Sequence, residues 1–137
     1  MMTNILDKAT IIVVEDDPNA HLIALDLLHL GGANRCYARR NVAAAIKFAE
    51  QLPQVDLFLV DVNMPDQSGY DLLRLVRSHN KLQEAKIVAV TAGTLAEDVE
   101  KARTVGFDGF ISKPLKPDKF AGQVQDILNG KHVWDSR

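Results

Sequence analysis

The sequence predicts a doubly wound α/β domain, with a parallel five-stranded sheet between two layers of helices. Three observations carry that prediction. Apolar, β-branched runs without alternation, such as Ile11-Ile12-Val13-Val14 and Leu57-Phe58-Leu59-Val60, read as strands buried on both faces. Each run is followed by a helical stretch, and strict alternation of this kind implies parallel pairing with right-handed crossovers. Charged and polar residues stand where the runs end, which in an open α/β sheet is where chemistry sits.

The elements follow in order. Ile11 to Val14 runs into Glu15-Asp16-Asp17-Pro18, and Pro18 suits the first turn of a helix with acids ahead of it. His21 to Leu30 is helical and leucine-rich, and Gly31-Gly32 stops it. Arg35 to Arg39 is a weaker strand with charged ends, which suits an edge. Asn41 caps a helix over Val42 to Gln51, closed by Pro53. Val55 to Val60 is the central strand, ending at Asp61-Val62-Asn63-Met64-Pro65, where the proline forbids continuation. Ser68 to Ser78 is the third helix, with Tyr70, Leu72, Leu73, Leu75 and Val76 as core candidates.

Lys86 to Val90 is the fourth strand and ends at Thr91. Ala92-Gly93-Thr94 is a loop with Thr94 as cap, and Leu95 to Val105 is a helix whose apolar stripe is Leu95, Val99 and Ala102. Phe107 to Ile111 is the fifth strand, left through Ser112-Lys113-Pro114. Pro117 to Leu128 is the last helix, and a mostly polar tail with Trp134 follows. The whole reads as a single domain over 1–137, with its core at about 10–128, a short polar amino-terminal arm and a carboxyl-terminal tail. The architecture is (βα)5, flavodoxin-like, in the strand order 2-1-3-4-5.

Composition excludes several classes. Apolar residues are 47% of the chain, enough for a real core. The formal net charge is −2, so no basic excess supports direct nucleic-acid binding. Cys36 is the only cysteine, which rules out an internal disulfide and fits a reducing compartment. No apolar run reaches the length of a membrane span, and Met1 to Thr10 lacks a basic region followed by an apolar one. The expectation is a cytoplasmic protein that does not engage a membrane.

The strand ends together specify a chemistry. The first strand delivers Glu15 and Asp16, the third Asp61, the fourth Thr91 and the fifth Lys113. In the order 2-1-3-4-5, strands one and three are neighbours, so three carboxylates meet at one crevice. Like charges so close need a counter-ion. Carboxylate oxygens select a hard cation, and Mg2+ is favoured because it keeps positions open for phosphate oxygens. Lys113 and Thr91 then suit a phosphoryl group, and Asp61 is the natural nucleophile for an aspartyl-phosphate. Taken singly, each residue has a blander reading: Asp17 as a helix cap, Thr91 as a strand-end cap, Lys113 as a solvated loop residue. Their joint placement is what argues for a site.

The motifs Val-Val-Glu-Asp-Asp, Val-Asp-Val-Asn-Met-Pro-Asp-Gln-Ser-Gly, Val-Thr-Ala and Phe-Ile-Ser-Lys-Pro, with their intervals, resemble the receiver domains of two-component response regulators over roughly Thr10 to Leu128. The resemblance implies Asp61 as phosphoacceptor. It implies Mg2+ held by Asp16 and Asp61, by the Asn63 backbone carbonyl and by Glu15 through a water. Thr91 and Lys113 would meet the phosphoryl group. Pro114 would follow Lys113 in a cis-type turn. Phe110, in place of the tyrosine of many members, would be the aromatic switch that packs inward when Thr91 moves. The changing face would be the fourth helix, fifth strand and fifth helix.

By the same resemblance the chain is similar to stand-alone, chemotaxis-type receivers. The implied partners are a histidine kinase or histidine phosphotransfer protein, and a separate output protein or a further relay step. Ile23, Ala24, Leu27 and Leu28 would face the core, leaving Leu22 and Leu25, with His29, as a partner surface beside the crevice. Gly93, two residues past Thr91, implies an open loop and a short-lived acyl phosphate. Three alternatives stand beside this reading. A haloacid-dehalogenase-type phosphohydrolase wants a general acid where this chain has Asn63. A flavodoxin-like binder wants a phosphate-cradling loop where it has Glu15-Asp16-Asp17. A degenerate receiver would lack site residues that are all present.

Overall fold

The computed structural model describes residues 4–92 and 96–135. Along the chain run α1 (Ile5–Lys8), β1 (Thr10–Val14), α2 (Pro18–Leu30), β2 (Arg35–Arg39), α3 (Val42–Gln51) and β3 (Leu57–Val60). Then come α4 (Gly69–Arg77), β4 (Lys86–Thr91), α5 (Ala96–Val105), β5 (Gly109–Ser112), α6 (Phe120–Leu128) and β6 (Trp134–Asp135). The expected first helix is therefore α2, and the expected fourth and fifth are α5 and α6.

All strands are parallel, in the order β2-β1-β3-β4-β5-β6. The five-strand order is as expected, and β6 extends it. All five residues of β1 and all four of β3 are buried, as unalternating runs require. Ile12, Val14, Phe58 and Val60 pack beneath α3, α4 and α5. Ile11, Val13, Leu57 and Leu59 pack beneath α1, α2 and α6. Each such side chain stabilises the fold by about 2 kcal/mol. Any one of them changed to a charge would break the layer it serves.

The helix starts follow from local chemistry. Asp17 accepts from the Asn19 N–H at 2.9 Å, and Pro18 fills the first helical position of α2. Ser68 begins α4 with a capping box, its N–H donating to Asp71 Oδ2 at 2.8 Å. Gly69 is required there, because a Cβ would stand 3.2 Å from the Asp61 carbonyl oxygen and 3.0 Å from Val62 Cα. The chain can thus turn from Asp61 into α4 in eight residues.

Several expectations are corrected. The amino-terminal arm is not merely polar: Asn4 caps α1, and Leu6 is fully buried under α2 and α6. The tail, expected only as a mostly polar segment, contributes β6 to the sheet. The last helix begins at Phe120, because 117–119 form a turn. Ile23 does not face the core but is 52% exposed, and Leu25 does not point outward but sits half-buried against the α2–α6 layer. A helix that is apolar all round gives no stripe to orient it. Leu75, expected inside, is exposed on α4. The loop residues Gly93 and Thr94, and Leu95 at the expected helix start, lie outside the described residues.

Candidate functional site

Val14 pairs with Val60 across the β1–β3 seam, so the next residues, Glu15 and Asp61, emerge side by side. Backbone bonds fix both. The Asp61 N–H donates to the Val14 carbonyl and the Glu15 N–H to the Arg39 carbonyl, each at 3.0 Å. On the other flank Thr91 pairs with Ser112 in the β4–β5 ladder, and the Lys113 N–H donates to the Thr91 carbonyl at 2.9 Å. The Lys113–Pro114 bond is cis.

Lys113 reaches across the sheet end. Its Nζ bonds to Glu15 Oε1 and, at 3.0 Å, to Asp61 Oδ2. Asp61 Oδ1 accepts from the Asn63 N–H at 2.9 Å, and the Asn63 side-chain amide donates to Thr91 Oγ1 at 3.1 Å. Thr91 itself is buried. Five of the expected residues are thereby drawn into one chain of contacts: Glu15, Lys113, Asp61, Asn63 and Thr91. Asp16 stands at the exposed rim, and oxygens of Glu15, Asp16 and Asp61 lie within 4.8 Å of one another.

Charge within the group is unequal. Burial pushes the Glu15 carboxyl above its usual value, and the neighbouring Asp61 charge adds to this; bonds from Lys113 and the Asp17 N–H oppose it. Burial works against the Lys113 ammonium, but its bonds to Glu15 and Asp61 outweigh that and raise it. The Lys113 direction follows from one ammonium serving two carboxylates, and the Glu15 direction from burial that the ammonium only partly offsets. The cation is held firmly, and the carboxylates retain an excess of negative charge. A divalent cation among three oxygen donors relieves that excess, so the donor set fits a hard ion.

Phe110 is already buried, within the core layer beneath α3, α4 and α5. The site opens on a cleft of about 400 Å³ between α2 and the loop after β5, lined by Glu15, Asp61 and Lys113 together with Ala20, Ile23 and Leu115. Leu22 is 53% exposed and Leu25 is half-buried, so of the residues expected to face outward or inward here the exposed neighbours are Leu22 and Ile23. The contact of the Asn63 amide with Thr91 was not expected. The resemblance implies only a backbone role for Asn63, and nothing in residue spacing distinguishes the two.

A parallel doubly wound sheet with its charged groups gathered over the β1–β3 seam defines a protein that works at a topological switch point. The chain belongs to the response regulator receiver domain family, whose model matches residues 11–125. It is 28% identical over 123 residues to the polar-differentiation response regulator DivK of Brucella anthropi, covering 90% of this chain and 98% of that one. Among solved structures it resembles the signal receiver domain of a signal transduction histidine kinase from Syntrophus aciditrophicus. There the TM-score is 0.76 at 30% identity, over 89% of this chain and 91% of that one. It shares its fold with the chemotaxis protein CheY4 of Vibrio cholerae, with a TM-score of 0.79 at 23% identity over 87% and 98% of the two chains.

Membership makes this a domain of phosphorylation-dependent signalling rather than a classical enzyme, and implies a histidine kinase partner. Receiver domains generally bind Mg2+, and the acidic cluster here is able to take it. No helix among the described residues is long and apolar enough to cross a membrane.

Proposed function

We propose that this protein is a phosphorylation-activated switch whose acceptor is Asp61. A histidine kinase or histidine phosphotransfer protein supplies the phosphoryl group. The P–N bond to the donor imidazole breaks, its electron pair stays on that nitrogen, and a P–O bond forms to the Asp61 carboxylate. Asp16, Asp61 and the Asn63 carbonyl would hold Mg2+, with Glu15 assisting through a water, and the ion would supply charge neutralisation for the incoming oxygens. Lys113 pairs with one phosphoryl oxygen and Thr91 donates to another. The observation that carries the reading is the shared ammonium: Lys113 bridges Glu15 and Asp61, as a phosphoryl-binding cation poised on its acceptor would.

Loading Asp61 gives Lys113 and Thr91 new acceptors, which shifts the balance of arrangements in α5, β5 and α6. That face then controls a separate output protein or passes phosphate onward. Leu22, with Ile23 in the place expected for Leu25, is the apolar patch that meets the donor's helices. The protein acts in the cytoplasm, where such donors work. The test is labelling with a small-molecule phosphodonor and Mg2+, followed by intact mass. One phosphoryl group is expected, absent in Asp61→Asn and after chelation. Undiminished labelling of Asp61→Asn would sink the assignment.

A further inference from the structure

Beyond β5 the sheet carries a strand that the alternation of runs does not account for. β6 runs parallel to β5, with Trp134 opposite Phe110 and Asp135 opposite Ile111. The Phe110 N–H donates to the Val133 carbonyl at 2.9 Å. Gly109 makes room for this, since a Cβ there would stand 3.1 Å from the Val133 oxygen and 3.0 Å from Ile127 Cδ1.

The segment touches every element of one face. Arg103 of α5 lies over the Trp134 ring, 4.7 Å from its centroid. Phe110 of β5 is its ladder partner. Gln123 of α6 donates to the Asp135 carboxylate at 3.0 Å. Trp134 packs half-buried on the same core layer as Phe110. Register partners project to one side of a sheet, so Ala89, Phe110 and Trp134 form a row across β4, β5 and β6. Thr91 is two residues along β4 from that row and projects to the same side.

A two-residue strand held by the half-buried Val133 and Trp134 side chains and a few hydrogen bonds opens at lower cost than the core strands. Phe110 is already inside, so an inward swing of its ring is not what this face has left to report. The segment lying over it is what can move.

We infer that residues 131–135 are an autoinhibitory strap that closes the α5–β5–α6 face and is released when Asp61 is loaded. The inference rests on the switch reading above. The strap is seated in the arrangement in which Thr91 is bonded to Asn63 and Lys113 to Asp61. Loading draws both residues, at the ends of β4 and β5, to new acceptors. A shift of α5 against β5 then parts Arg103 from Trp134. The coupling is reciprocal: a strap loosened by loading opposes loading. Its release leaves β5 an edge strand, able to pair with an extended segment of a partner.

Trp134 is the chain's only tryptophan, so emission from the full-length protein reports the strap directly. The protein with Mg2+ is titrated with beryllofluoride while amide exchange follows Asn63, Phe110 and Lys113. The expected result is a red-shifted emission and faster exchange at Phe110, in step with the response of Asn63 and Lys113. Trp134→Ala is expected to bind beryllofluoride about fivefold tighter. A site that responds while emission and Phe110 exchange stay fixed overturns the strap alone, as does equal affinity in the variant. Silence at Asn63 and Lys113 overturns the switch reading and the strap's coupling together.

Discussion

The side-chain amide of Asn63 donates to Thr91 Oγ1 at 3.1 Å, while the backbone N–H of the same Asn63 donates to Asp61 Oδ1 at 2.9 Å. One residue thus ties the proposed acceptor to the hydroxyl proposed to meet its phosphoryl group. The amide contact belongs to the arrangement that loading must leave, so it favours the unloaded state. A single hydrogen bond contributes about 1 kcal/mol net. Asn63→Ala is therefore expected to bind beryllofluoride with Mg2+ about fivefold more tightly, measured by titration. Unchanged or weaker binding would remove Asn63 as a latch.

Lys113 is the cation for two carboxylates, one of them almost fully buried. Lys113→Met leaves Glu15 and Asp61 facing each other without it. Allowing for the partial exposure of the ammonium, the expected loss is about 2 kcal/mol in metal-free urea unfolding. Mg2+ is expected to restore much of that loss in the variant, because it supplies the missing charge. In the unmutated protein the raised Lys113 pKa sets the sign with pH. Its contribution is complete below the ordinary lysine value and is lost as pH rises through the higher folded value. Lys113→Met is expected to lack that alkaline loss.

Asp71 gives the opposite sign. The Ser68 N–H holds its carboxyl below the usual aspartate value, with Arg74 adding to the effect. A depressed carboxyl contributes above the ordinary value and ceases to contribute as pH falls through the folded one. Asp71→Ala is expected to flatten the acid limb of the stability curve. Ser68→Ala, which removes the reciprocal cap on α4, costs about 1 kcal/mol at neutral pH. An acid limb unchanged in Asp71→Ala would mean that the capping box does not persist in solution.

Arg77 clamps three segments. Its guanidinium donates to the Gln83 carbonyl at 3.1 Å, the Ala85 carbonyl at 2.6 Å and Asp108 Oδ2 at 2.6 Å, and Asp108 in turn accepts from the Ile87 N–H. Arg77→Ala is expected to cost about 2 kcal/mol. Arg77→Lys should recover little, since an ammonium lacks the planar fork. Full recovery by lysine in denaturant unfolding would reduce the clamp to a simple ion pair.

The exposed pair on α2 predicts a split readout. Leu22→Lys with Ile23→Lys is expected to slow phosphotransfer from a histidine-bearing partner and leave labelling by a small-molecule donor intact. Equal loss in both assays would assign these residues to the fold rather than to the donor.

The fold was legible because unalternating runs such as Leu57–Val60 have one stable destination, a strand covered on both sides. The site was legible because Glu15, Asp61, Thr91 and Lys113 all follow such runs, so strand order alone brings them together. Side-chain direction was not. The stretch His21 to Leu30 is apolar on every side, and which of Ile23 and Leu25 turns inward is decided by packing against α6. Nor was the tail legible, because a two-residue strand has no period to detect. Asn63 shows the same limit at atomic scale: its spacing puts it beside Asp61 but does not say where its amide points.

The bond from Lys113 to Glu15 joins residues 98 positions apart. Glu15 is made before Lys113, and β1 lies between β2 and β3, each a crossover away. During translation the proposed acceptor's carboxylate therefore exists before the cation that accompanies it. A chain interrupted before Lys113 has the acidic crevice without its counter-charge, and a chain still emerging has no complete acceptor site to offer a donor. On the function proposed above, competence to accept a phosphoryl group thus waits until β5 and Lys113 are in place.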